Sequence, residues 1–188
     1  MGIIGINDIR TGNALKIDDE LYWVVDADHV KPGKGQAFCR VTLKNVDTGQ
    51  VVKKTYKQSD KIEEVRLELR KCQYLYEDND LYYFMDMETY EQLLLSENMV
   101  EDKKYYLKEE MDVELLMYGE KSLGLKLPTF VNLQITKTKP AVKGDTVSNA
   151  TKKATLETGL EVKVPLFVKR NEVIKVDTRN GEYVERVN

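Results

Sequence analysis

The stretch His29-Val30-Lys31-Pro32-Gly33-Lys34-Gly35-Gln36-Ala37-Phe38-Cys39-Arg40-Val41 sets the reading of the whole chain. Pro32 fixes its own φ near about −65° and pushes Lys31 toward an extended conformation. Gly33 and Gly35 are free to take positive φ, so Pro-Gly-Lys-Gly reads as a tight turn. Residues 21–25 read as the strand before it. After it, Phe38, Arg40 and Thr42 alternate with Cys39, Val41 and Leu43, the period of a half-buried strand. Lys34 is therefore expected at a hairpin tip, projected away from any core. Local pattern alone makes it a solvated lysine in a turn; the sharper reading is a positioned cation, or a lysine presented for modification. Residues 29–57 carry seven basic residues and one acid, an excess that suits a polyanion.

Working outward, residues 14–17 and 21–25 flank a short Asp18-Asp19-Glu20 turn, and strands 41–45 and 50–56 flank Asp47-Thr48-Gly49. Several short strands within about sixty residues, with no long amphipathic helix, argue for a small barrel. A polar boundary at 59–64 closes it. From Val65 the alternation of Val65, Leu67 and Leu69 with Arg66, Glu68 and Arg70 opens a second strand-rich segment. There, 72–76 and 81–85 read as strands, and 87–95 as a helix capped by Asp86 with Tyr90, Leu93 and Leu94 on one face. Strands are expected at 103–108, 111–117 and 122–127. The third segment holds strands at 130–136 and 160–168, and a two-residue Asn180-Gly181 hairpin joining 173–179 to 182–187. The division is thus 1–64, 65–128 and 129–188. Lys126-Leu127-Pro128-Thr129-Phe130-Val131 echoes Lys163-Val164-Pro165-Leu166-Phe167-Val168, as if two related barrels were joined end to end.

Composition narrows the function classes. The net charge of −3 hides an asymmetry: residues 65–128 carry 8 basic and 15 acidic groups, and 129–188 carry 11 and 7. The ends, not the middle, suit phosphate contacts. No stretch approaches a membrane span, and the start lacks the basic region of a secretory leader. Cys39 and Cys72 lack ligand spacing and read as small buried residues in a reducing, cytoplasmic setting. His29 is the only histidine, which removes Ser-His-Asp, Cys-His and multi-histidine metal sites. Pro-Gly-Lys-Gly lacks phosphate-loop spacing. Glu63-Glu64 and Glu109-Glu110 are neighbours that a strand sends to opposite faces, so neither is an acid/base couple. No catalytic constellation, metal site or cofactor is expected, and the chain does not read as an enzyme. Of the 11 tyrosines, most suit barrel cores and some could stack on bases.

Lys31 to Phe38 resembles the tip of the first domain of the bacterial elongation factor P family. Lys153-Ala154, Gly159 and Val164-Pro165-Leu166-Phe167-Val168 are similar to that family's signature in its last domain. The run from Val173 to Val184 resembles its C-terminal hairpin, and Met87 to Gln92 its short helix. The resemblance covers essentially the whole chain in order, least distinctively over 94–113. It implies an all-β protein of three small β-barrels in tandem, a KOW/SH3-like N-terminal barrel followed by two OB-fold barrels, in a tRNA-like L shape. It implies a factor that binds the ribosome between the peptidyl-tRNA and exit sites and promotes peptide-bond formation at stalled consecutive prolines. On this likeness Lys34 matches a tip lysine that is often modified, in a loop of Lys31, Pro32, Gly33, Lys34 and Gly35 that contacts the tRNA end. Gly144, Asp145 and Thr146 match a loop at the exit-site codon. Tyr183 and Arg186 match positions facing tRNA or small-subunit RNA. The implied partners are both ribosomal subunits, peptidyl-tRNA, mRNA at the exit site and a lysine-modifying enzyme acting on Lys34, with no membrane. Two alternatives stay open: a paralogous factor of the same fold, and a generic OB-fold RNA-binding protein. An enzyme with Lys34 as nucleophile is disfavoured, because nothing desolvates a tip lysine.

Overall fold

Tight turns of short polar residues start the folding pattern. Asp18 and Asp19, at φ 51° and 67°, join Ile17 to its partner Glu20, and Asn79 and Asp80, at 49° and 63°, join Asp78 to Leu81. Asn and Asp tolerate this left-handed backbone, whose twist matches that of the strands it joins. The computed structural model describes residues 2–138 and 151–187, and its strands gather into three antiparallel sheets in chain order. The first comprises β1 (Gly2–Ile4), β2 (Ala14–Ile17), β3 (Glu20–Val30), β4 (Phe38–Asn45), β5 (Val51–Lys57) and β6 (Ile62–Glu64), in the order β1-β6-β2-β3-β4-β5. Cys39, Val41 and Leu43 line its core beside Ile9, Leu15 and Val24, as the alternation along β4 requires.

The second sheet contains β7 (Glu68–Asp78), β8 (Leu81–Asp86), β9 (Gln92–Ser96), β10 (Asp112–Tyr118) and β11 (Lys121–Lys126), ordered β11-β10-β7-β8-β9. The third contains β12 (Phe130–Thr138), β13 (Thr151–Leu156), β14 (Glu161–Pro165), β15 (Val173–Asp177) and β16 (Glu182–Val187), ordered β14-β13-β12-β15-β16. In both, the first strand is central, the second and third lie to one side, and the fourth and fifth to the other. This order makes the two barrels topological repeats. The echoed hexapeptides do not mark that repeat, since one links β11 to β12 and the other ends β14 and enters a turn.

Three expectations are corrected. Residues 87–95 do not form a helix: Asp86 Oδ1 accepts the N–H groups of Glu88 at 2.7 Å and Thr89 at 3.1 Å, Tyr90 turns to φ 60°, and β9 follows. Leu95 is then fully buried while Leu94 is 51% exposed, the split that a strand imposes on neighbours. Residues 103–108 are not a strand but lie largely in a 3-10 turn, Glu101–Tyr106, after the short helix α1 (Glu97–Val100). The last hairpin has a four-residue connection, because Asp177 pairs with Glu182. Thr178 is drawn out of the ladder by donating its N–H to the Thr129 carbonyl and its hydroxyl to that of Pro128. Asp177 meanwhile binds the backbone N–H and guanidinium of Arg179.

A bulge joins the first two barrels. Leu116 faces Gly124 and Met117 faces Ser122, which leaves Leu123 as an extra, unpaired residue in β11. A bulge re-aims its side chain. Leu125 stays in the second barrel's core, whereas Leu123 packs with Ala14, Leu21, Val46 and Val65, ringed by Trp23, Met99 and Tyr118. At the rim, Lys121 pairs with Asp47 at 2.7 Å, and Lys44 with Glu101. The second and third barrels meet through Tyr106 and Met111, which pack on the third core. Thr158 also donates its hydroxyl to the Tyr105 carbonyl, and Lys108 pairs with Glu157 at 3.1 Å. Among the described residues no helix is long and apolar enough to cross a membrane.

Candidate functional site

Strands β3 and β4 pair from Tyr22–Asn45 out to Val30–Phe38, leaving a seven-residue connection, 31–37. Inner packing runs through Cys39 to the partly buried Ala37 and stops there; residues 31–36 are all exposed. The hairpin root is tied down by His29, whose Nε2 donates to the Ile9 carbonyl at 3.0 Å. Beside that root a 470 Å³ hollow is lined by Asn7, Arg10, Ala27, His29 and Lys31 among others. Only one of the two tip glycines uses its freedom. Gly35 sits at φ 113° with Pro32 closing against it, while Gly33 does not take a left-handed backbone.

Lys34 stands at the end of this connection, with no ion pair or hydrogen bond among the described residues. Lys31 beside it is also exposed. The basic excess read along residues 29–57 is partly offset across the sheet. Asp28 lies opposite Arg40, and Asp26 opposite Thr42, on the outer face of β3 and β4. Arg40 also lies over the Phe38 ring, 5.2 Å from its centroid. The site is thus a cationic tip on a mixed-charge stem. Cys39 is buried within that stem and its thiol is pushed up in pKa by burial; burial likewise takes Cys72 up to about 11. Such thiols stay protonated at neutral pH and serve as packing, not as nucleophiles.

The other expected positions fall in the third barrel. Tyr183 on β16 is half-buried and packs on the barrel core. Arg186 is exposed but engaged, with its guanidinium 3.2 Å from Glu172. Glu172 is held below the usual carboxylate range, first by the N–H of Lys169 and then by Arg186. Gly144, Asp145 and Thr146 lie outside the described residues. The Lys34 tip and the C-terminal hairpin that carries Tyr183 belong to different barrels. What the sequence reading missed is the group that packs the first barrel on the second, Leu123 and Trp23 at the seam. Its only trace is Leu-Gly-Leu at 123–125, where a glycine inside a strand marks close approach of another surface. The ideal Cβ of Gly124 would lie 3.6 Å from Trp23 Cζ2.

Comparison with known proteins matches three successive stretches of the chain. Residues 5–62 match the "Elongation factor P (EF-P) KOW-like domain", 67–125 the "Elongation factor P (EF-P) OB domain", and 131–186 "Elongation factor P, C-terminal". The chain is 47% identical over 184 residues to elongation factor P of Moorella thermoacetica, covering 98% of this chain and all of that one. It is 48% identical over 185 residues to that of Caldanaerobacter subterraneus subsp. tengcongensis, with the same coverage. Among solved structures it is similar to eukaryotic translation initiation factor 5A from Methanococcus jannaschii, at TM-score 0.52 and 26% identity, covering 68% of this chain and 92% of that one.

Proposed function

The chain belongs to the elongation factor P family, and on that premise we propose that it is a translation elongation factor acting at consecutive prolines. It binds the ribosome between the peptidyl-tRNA and exit sites, in the cytoplasm, and speeds peptide-bond formation there. Proline has a restricted φ and places the peptidyl end off the reactive geometry. A cation held on a stiff hairpin against the terminal nucleotides of the tRNA restores that geometry. Orientation is then the source of acceleration, and the ribosome remains the catalyst.

The observation that carries this reading is the solitary, exposed Lys34 at the end of a two-stranded stem whose root is anchored and whose barrel is packed against the next. Lys31, Pro32, Gly33 and Gly35 complete the tip that meets the tRNA end, and Lys34 is the point of covalent extension by a lysine-modifying enzyme. The division 1–64, 65–128 and 129–188 gives three domains. In the last of these, Gly144, Asp145 and Thr146 serve the mRNA at the exit site, and Tyr183 and Arg186 face tRNA or small-subunit RNA. For Arg186 this requires exchange of Glu172 for a phosphate, which an exposed ion pair permits at little cost.

The test is timed synthesis of a reporter containing consecutive prolines, beside a proline-free control. Lys34→Ala should bind ribosomes nearly as the parent does and yet fail to speed the proline reporter. Equal rescue by the two proteins sinks the proposal.

A further inference from the structure

The outer face of the third barrel carries charge that its own sheet does not balance. β13 and β14 place Lys153 directly opposite Lys163, both exposed. Like charges facing each other across a ladder destabilise it. Lys153 has one carboxylate in range, Glu161 at 3.8 Å, with both side chains well exposed, a contact worth little. Lys163 has no ion pair among the described residues. Lys137 joins the same face, since it lies opposite Thr155, two residues along β13 from Lys153. Lys137 is exposed and also without an ion pair among the described residues.

Two residues past the end of β14, the strand that carries Lys163, stands an aromatic ring. Past Pro165 the chain makes a tight turn, in which the Val168 N–H donates to the Pro165 carbonyl at 3.1 Å. Val168 is fully buried and anchors the turn, while Phe167 beside it is 61% exposed. Arg170 follows, exposed and with no carboxylate at ion-pair distance among the described residues. A ring held on a short anchored turn beside cations is the arrangement on which nucleobases stack.

We propose that Lys137, Lys153 and Lys163, with Phe167 and Arg170, form a binding surface for single-stranded RNA. The lysines track phosphates along the strands and Phe167 stacks on one base. An acidic protein segment would satisfy the lysines but leave Phe167 with no planar partner, which is why RNA is favoured. The surface is separate from the Lys34 tip and from Tyr183 and Arg186. It extends the reading of the chain as a ribosome-bound factor and rests on it.

The probe is a short fluorescein-labelled single-stranded RNA of mixed sequence, titrated with the full chain over a range of salt concentrations. Lys153→Gln with Lys163→Gln should weaken binding and flatten the slope of log affinity against log salt by about 1.4, at about 0.7 for each phosphate no longer neutralised. The same variant should melt no lower than the parent, because it removes a repulsion. Phe167→Ala should lose about tenfold in affinity at unchanged slope, with Phe167→Trp restoring it. An unchanged slope in the double variant overturns the proposal. So does full binding by Phe167→Ala, which would mark the face as a plain polyanion or acidic-protein surface. The proline reporter with Lys34→Ala separates the two readings. If Lys34→Ala fails the reporter while both RNA variants bind as the parent does, this inference falls alone. If Lys34→Ala rescues while slope and stacking change as expected, the tip reading falls and this surface stands.

Discussion

Removing the side chain of Leu123 should loosen the first barrel from the second without touching the tip. Leu123 is fully buried, so truncation to alanine forfeits its transfer free energy and leaves a cavity, together about 2–5 kcal/mol. Its neighbours decide where in that range it falls. Ala14, Leu21 and Val46 of the first barrel and Val65 just after its last strand are buried and have little room to move, but Met99, Trp23 and Tyr118 are only partly buried and can lean into the gap. A loss of about 2–3 kcal/mol is therefore expected. The chain has a single tryptophan, Trp23, and it sits in this seam, so its emission reports the seam directly. Urea denaturation followed by Trp23 fluorescence should show the lower midpoint, and the folded baseline should shift red as the indole meets water. The Leu123→Ala protein should also rescue the proline reporter less well, though Lys34 is intact. A companion, Gly124→Ala, should be tolerated: its methyl would meet Leu116 Cδ1 at 3.5 Å and Trp23 Cζ2 at 3.6 Å, ordinary contact distances. A loss below about 1 kcal/mol for Leu123→Ala, with unchanged Trp23 emission, would refute the claim that this residue holds the seam.

Other expectations can be checked alongside. Lys34→Arg keeps the charge but not an amine to extend, so it should fail the proline reporter nearly as badly as Lys34→Ala if modification matters; strong rescue by arginine would leave charge as the sole requirement. Arg186→Ala should lower ribosome affinity and flatten its salt dependence by about one phosphate contact, and Glu172→Gln, which frees Arg186, should raise affinity. An identical salt slope would return Arg186 to its ion pair alone. Asp177 accepts from the side chain and backbone N–H of Arg179, and these bonds hold its pKa at about 2 against an ordinary 3.8. A carboxyl depressed on folding contributes stability above its unfolded pKa and loses that contribution as pH falls toward the folded one. Asp177→Asn should therefore flatten the acid limb of the stability curve between about pH 4 and 2, and parallel limbs would contradict the assignment.

The inner row Cys39, Val41 and Leu43 was legible because a half-buried strand writes its period directly into the sequence. Residues 87–95 were not, for two physical reasons. Asp86 makes the same bonds to the next N–H groups whether it opens a helix or a turn. Leu93, Leu94 and Leu95 also satisfy a helical stripe as readily as a strand, and only the positive φ of Tyr90 decides between them. Asn180-Gly181 signalled a hairpin correctly, but its length was set by Thr178 reaching back to Pro128 and Thr129, a tertiary contact. Leu123 was opaque for the same reason, since a bulge is favoured there by what another barrel presents. In the candidate site, the exposed Lys34 tip followed from Pro32 and Gly35. The balance of charge on its stem did not, because Asp26 and Asp28 are close to Arg40 only across the ladder. Tyr183 and Arg186 were visible through family likeness alone; on residue pattern they are ordinary members of a strand.

Lys34 makes no ion pair or hydrogen bond among the described residues, and this makes the tip thermodynamically silent. A group added to its amine meets the same solvent in the folded and unfolded chain, and a change that interacts equally with two states shifts neither. Extended and bare molecules should then fold with the same free energy and be equally durable. Under the proposed extension of Lys34, any surveillance that works by sensing unfolding would not tell the two forms apart. On that proposal, activity would follow the occupancy of this one amine and not the amount of folded protein.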